Sequence, residues 1–149
     1  MSTRDLQHEL QQADLAMRDG AYVARIMPLL GRLMKLYFRS EVRGIEAVPA
    51  EGGALIVSNH SGGLMPMDVP IIAAAFVEHF GPDRPIYVLA HDLLFTGVAG
   101  PVMRRCGFLP ATRENAAAVL DSGAVTILFP GGDHDCFRPS SAKNTIDFA

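Results

Sequence analysis

Between Gly44 and Phe129, short apolar runs bounded by turn residues alternate with helical patterns, and this alternation restricts the fold more than any other feature of the sequence. GGALIVSN is followed by DVPIIAAAFVEHF, RPIYVLA by a helical stretch around Thr96 to Arg105, and GFLPA by TRENAAAVLDSG before the run AVTILF. A strand that rejoins a sheet in parallel needs a crossover of helix length, and strands covered on both faces read as continuous apolar runs. The pattern therefore predicts an α/β fold, a mainly parallel sheet flanked by helices.

Two helical segments precede it. RDLQHELQQADLAMRD sets Leu6, Leu10, Ala13 and Met17 at helical spacing, with Gly20 as its stop. YVARIMPLLGRLMKLYFR sets Met27, Leu30, Met34 and Phe38 along one face, with Pro28 and Gly31 expected to weaken or kink it. The expected organisation is an N-terminal helical, membrane-associating segment over 1–40 and an α/β domain over 41–149. The closing TIDFA reads as the start of a further strand, so the expectation is a C-terminally truncated domain.

Charge narrows the partners. The net charge is −3, which argues against nucleic acid, because a phosphate backbone calls for a cationic face. Residues 21–43 run the other way, with Arg25, Arg32, Lys35, Arg39 and Arg43 against Glu41 alone, among Leu, Met, Ile and Tyr. An amphipathic helix of that composition suits an anionic membrane interface, or else packs on the sheet with its cations solvated. No uncharged apolar run approaches the roughly 18 residues of a transmembrane helix, so membrane contact would be peripheral. Cys106 and Cys136 have no metal-type spacing and no secretory signal opens the sequence. The expected location is the cytoplasm, at the inner face of the membrane.

Three polar loops follow three apolar runs, the position where open α/β sheets place ligands. In VSNHSGGLMPMDVP, Asn59 and His60 come directly after the first run, and Asp68 is the nearest carboxylate able to hold the imidazole for general-base work. Gly62 and Gly63 allow the intervening loop to fold back. Asp68 equally suits the cap of the helix that follows, with Pro70 in the first turn, and its two oxygens permit both roles. Ser61 lacks the G-x-S-x-G elbow of a nucleophilic serine. In GFLPATREN, Thr112 is an expected N-cap, and Arg113 with the free N–H groups suits an anion, although a lone arginine also suits a solvated surface. In FPGGDHD, Gly131 and Gly132 let backbone amides approach a ligand beside Asp133, His134 and Asp135, though a Gly-Gly pair alone is a turn.

Together and in this order, SNHSGGLMPMD, GFLPATREN and LFPGGDHD resemble the first three blocks of the phospholipid/glycerol acyltransferase superfamily, over Val42 to about Pro139. The resemblance implies transfer of a fatty acyl group from acyl-CoA or acyl carrier protein to a hydroxyl of a glycerolipid or lysophospholipid, with no cofactor beyond the acyl donor. It implies His60 as base and Asp68 as its orienting partner, Arg113 at the acceptor's phosphate or head group, and Asn59, Ser61, Gly62, Gly63, Gly131, Gly132 and Asp135 at the substrates. Seven residues separate His60 from Asp68 where the usual first block has four, and Gly131 stands where the usual third block has glutamate, with Asp135 soon after. Both differences match the branch resembling monoacylglycerol and diacylglycerol acyltransferases. The superfamily's fourth block has no match in the sequence.

Two other readings compete. His60, His91, Asp92, Asp133, His134 and Asp135 would be the ligands of a metal-dependent hydrolase, but no H-x-x-x-H or comparable spacing occurs. A non-catalytic lipid- or membrane-binding fragment would keep the motifs without a completed site.

Overall fold

The computed structural model describes residues 3–60 and 67–131, with the side chains of 3–8 and 10 left aside. Among these residues four strands, β1 (Ala54–Val57), β2 (Ile86–Ala90), β3 (Phe108–Pro110) and β4 (Val125–Leu128), form one sheet in the order β1-β4-β2-β3. All three pairings are parallel, in register Ala54 with Val125, Ile86 with Val125 and Val88 with Phe108. The helices are α1 (Thr3–Ala16), α2 (Gly20–Tyr37), α3 (Asp68–Phe80), α4 (Ala99–Arg105) and α5 (Arg113–Asp121), with 3₁₀ turns at Ile45–Ala47 and Asp92–Phe95. This is the α/β fold with a parallel sheet that the apolar runs predict.

Burial explains the strand patterns. β2 and β4 lie inside the sheet with both faces covered, and Val125, Thr126 and Ile127 are fully buried. β1 lies at an edge among the described strands, and its residues alternate, Ala54 and Ile56 inward, Leu55 and Val57 exposed. On one face Val69 and Phe76 of α3 pack on Ile86, Val88, Val125 and Ile127. On the other, Val119 of α5 and Leu15 of α1 pack on Tyr87, Leu89 and Leu109. Right-handed crossovers require this division, since β1-α3-β2 and β2-α4-β3 step one way along the sheet and β3-α5-β4 steps back.

α2 lies outside α3. Val23 and Met27 pack with Ala73, Ala74 and Val77, and a Cβ on Gly31 would stand 3.4 Å from that of Ala74. Met27 borders Val77 in one groove and Met34 borders Ile71 in the next, so the two helices are antiparallel. The last turns of α2 therefore lie beside the first turn of α3.

The N-terminal helices correct several expectations. Gly20 starts α2 instead of stopping α1, because Asp19 accepts the Tyr22 N–H at 2.9 Å and caps the second helix. Ala13 and Met17 are exposed and Leu15 is the buried residue, since α1 packs on α5 and on Tyr87, whose hydroxyl donates to the Leu15 carbonyl at 3.0 Å. The side chains of Leu6 and Leu10 lie outside the description. α2 runs unbroken through Pro28 and Gly31, and Val23, not Phe38, completes its buried face with Met27 and Met34. The helical stretch near Thr96 resolves into the 3₁₀ turn and the shorter α4.

Candidate active site

Parallel strands bring all their carboxyl ends to one side of the sheet, and there β1 and β4 are neighbours. Their pairing extends beyond the strands, with Ser58 N–H donating to the Leu128 carbonyl at 3.1 Å. This places His60 against Phe129. The two rings stack with centroids 4.1 Å apart and planes 5° from parallel. Phe129 is itself buried in the core with Val69 and Ile127, so it is a fixed wall for the imidazole.

Asp68 holds the ring from the other side. His60 Nδ1 stands 3.1 Å from Asp68 Oδ2, both side chains being largely shielded, at 13% and 14% exposure. An ionised carboxylate only accepts, so the hydrogen is assigned to Nδ1, and in the neutral ring the lone pair falls on Nε2. Asp68 Oδ1 accepts the Val69 N–H at 2.9 Å. The expected N-cap role is corrected in detail: Met67 occupies the cap position without a side-chain bond, and Asp68 is the first helical residue. From there its carboxylate takes an N–H that no helix carbonyl reaches, at the end of the dipole that favours negative charge. One carboxylate thus anchors to its own helix and orients the histidine.

The other expected residues divide by position. Asn59 is exposed at the end of β1, and Gly131 lies two residues beyond Phe129 at the end of β4. Thr112 caps α5, its hydroxyl accepting the Asn115 N–H at 3.1 Å, and Arg113 is exposed in the first turn. β3 is three strand spacings from β1, so Arg113 shares the carboxyl end but stands roughly 14 Å from the His60 strand. Ser61, Gly62, Gly63, Gly132, Asp133, His134 and Asp135 lie outside the described residues. His91 Nδ1 accepts the Leu93 N–H at 3.2 Å and caps the 3₁₀ turn, with Asp92 in that turn. Among the described residues no group of three His, Cys, Asp or Glu is placed to hold a metal ion.

Phe129 is the site residue that sequence reading passed over, since it closes the run AVTILF and reads as strand. Only the sheet order reveals that this strand lies beside the one carrying His60.

A parallel α/β sheet with a carboxylate-held histidine at its carboxyl end defines a class of enzyme scaffold in which ligands meet the strand ends. The particular assignment follows from comparison: the Acyltransferase family model matches residues 39–146, and the chain belongs to that family. The reaction in that family's name is acyl transfer. Similar proteins include uncharacterized proteins of Mycobacterium bovis, Mycobacterium tuberculosis and Mycobacterium leprae, each 36% identical over 110 residues, or 73% of this chain. The chain spans 30% of the length of each of these relatives. No solved structure matches. Among the described residues no helix is long and apolar enough to cross a membrane.

Proposed function

We propose that the chain transfers a fatty acyl group from acyl-CoA or acyl carrier protein to a hydroxyl of a glycerolipid or lysophospholipid, with His60 as general base and Asp68 as its orienting partner. The observation that carries this reading is the 3.1 Å contact between Asp68 Oδ2 and His60 Nδ1, which leaves Nε2 as the proton acceptor. The acceptor hydroxyl gives its proton to Nε2 as its oxygen attacks the thioester carbonyl. A C–O bond forms, the C–S bond breaks, and the proton passes from Nε2 to the departing thiolate.

The stack on Phe129 restricts rotation of the ring, and a fixed base is what converts encounter into reaction. A base contributes roughly 10²–10⁴-fold, so donors at the developing oxyanion must supply more. Backbone amides at Gly62-Gly63 or Gly131-Gly132 are the candidates, with Asn59, Ser61 and Asp135 alongside the substrates. Arg113 receives the acceptor's phosphate or head group. Its separation from His60 suits an extended ligand that lies across the strand ends.

The test is release of free thiol from a long-chain acyl-CoA and from acyl carrier protein, with lysophospholipid, monoacylglycerol and diacylglycerol acceptors. Acceptor-dependent release abolished by His60→Ala, and an acceptor KM raised by Arg113→Ala, support the reading. Transfer indifferent to His60 overturns it.

A further inference from the structure

We propose that Asn115 is a positioning residue for the acyl acceptor: its buried amide fixes the turn from which Arg113 reaches the acceptor's phosphate or head group. The role rests on the reading of Arg113 as the head-group residue, and concerns what decides where that arginine stands. Among the described residues Asn115 and Thr126 are the buried polar side chains, and Asn115 is only 7% exposed. Burying a primary amide is unfavourable unless it is hydrogen-bonded, and asparagine is a poorer helix former than alanine. α5 goes on as Ala116, Ala117 and Ala118, so alanine is what helix strength alone would place at 115. The reason for the amide lies outside the helix, at the Pro110 carbonyl, to which Asn115 Nδ2 donates at 2.9 Å.

Pro110 closes β3, and only Ala111 and Thr112 separate it from Arg113, the first residue of α5. Its carbonyl takes two donors, the Asn115 amide from inside the helix and the Thr112 N–H from the turn, the latter also at 2.9 Å. A further bond ties the turn to the neighbouring strand, where the Ala111 N–H donates to the Ala90 carbonyl at 2.9 Å. Of these three donors Asn115 alone belongs to the helix, so its bond sets α5 against the end of β3. Thr112 caps the helix by a different bond, accepting the Asn115 N–H at 3.1 Å, and that bond stays within the helix end.

Arg113 is exposed and makes no ion pair among the described residues, so the place of its backbone sets the reach of its guanidinium. The guanidinium fork meets a phosphate by two parallel hydrogen bonds, and such a contact depends on register as well as charge. A shift of about 1 Å at its root is enough to spoil it. Asn115 touches no substrate in this arrangement. It acts through the arginine two positions before it.

Two measurements on the full chain test the role: equilibrium binding of a short-chain lysophospholipid without any acyl donor, and the KM of the same acceptor in thiol release. Asn115→Ala is expected to weaken binding and raise that KM roughly fivefold, as for one lost hydrogen bond, with kcat per folded molecule unchanged. Monoacylglycerol, which has no phosphate, should keep its KM. Thr112→Ala loosens the same helix end without freeing the Pro110 carbonyl, so it should lose stability and keep both constants. With Arg113→Ala already in place, Asn115→Ala should add nothing to either constant, because a positioning residue acts only through the residue it positions. If the alanine variant fails to fold, Asn115→Ser, polar but one bond shorter, gives the same readings. An amide that serves stability alone would behave as Thr112→Ala does, and that result overturns the proposal. So does an equal effect on monoacylglycerol, or additive effects of the two substitutions. If the parent does not bind the lysophospholipid, or Arg113→Ala binds it as the parent does, the head-group reading and this role fall together. If Arg113→Ala weakens binding and Asn115→Ala does not, this role falls alone. A chain whose binding depends on both residues, yet which transfers nothing, defeats only the acyl-transfer reading.

Discussion

At the amino ends of the strands arginine side chains tie distant segments together through backbone carbonyls and aspartates, whereas at the carboxyl ends Asp68 holds His60. Arg84 donates to the carbonyls of Gly123 at 2.7 Å, Gly52 at 2.6 Å and Pro49 at 3.2 Å, and Arg18 donates to that of Pro82 at 2.9 Å. Burial lowers the affinity of Arg18 for its proton and raises that of the nearby Tyr87 hydroxyl. Gly107 brings its backbone so close to β2 that a Cβ would stand 2.7 Å from the Ile86 carbonyl oxygen. At the opposite end, Asp68 faces His60, His60 faces Phe129, and Arg113 has no ion-pair partner among the described residues. One end spends its polar groups on chain connection. The other holds the His60–Asp68 pair and the exposed Arg113.

Substitutions should separate the two ends by what they damage. His60→Ala is expected to lower acyl transfer roughly 10²–10⁴-fold, with an unchanged unfolding midpoint; a fall in stability instead would make the histidine a structural part like those at the amino ends. Gly107→Ala combines a φ of +92° with the clash on Ile86 and should lose about 3 kcal/mol of stability in urea unfolding. The folded fraction should keep its rate. Arg84→Ala removes three hydrogen bonds and should lose about 2 kcal/mol, again without touching turnover per folded molecule. Thr112→Ala sharpens the comparison, because this cap lies at the carboxyl end yet serves only α5; about 1 kcal/mol of stability should go.

The smallest effect is pH-dependent. A hydrogen bond from Arg105, then the Tyr22 N–H, hold the Asp19 carboxyl below the usual aspartate range. A depressed carboxyl adds stability above its unfolded pKa and loses it as pH falls through the folded one. Asp19→Asn should therefore differ from the parent near neutrality and converge with it in acid, measured by thermal melts across pH.

Local pattern made most of the sheet and its helices legible. IYVLA and VTIL are β-branched and aromatic runs closed by turns, and DVPIIAAAFVEHF is α3 residue for residue. What local pattern does not carry is which face meets which neighbour. The buried side of α1 is set by α5 and Tyr87, both far along the chain, so Leu15 was missed in favour of Ala13 and Met17. Asp19 caps the helix ahead of it, and no periodicity signals that Gly20 belongs to the later helix. At the candidate site, the proximity of His60 and Asp68 followed from loop chemistry, but the Phe129 stack required the strand order. Arg113 shows the converse, a residue legible as an anion group whose place three strands away was not.

The position of β4 has a consequence in time. It is the last described strand to leave the ribosome, yet it lies between β1 and β2. A growing chain therefore holds two earlier strands with an open slot between them, and the pairing of Ala54 with Val125 must wait for long-range closure, the slow kind of contact. Until the slot fills, β1 has no neighbour among the described strands and His60 lacks the Phe129 ring. The described sheet and the His60 stack thus form in a single late event, so a nascent chain short of that strand carries the motif without the stacked histidine.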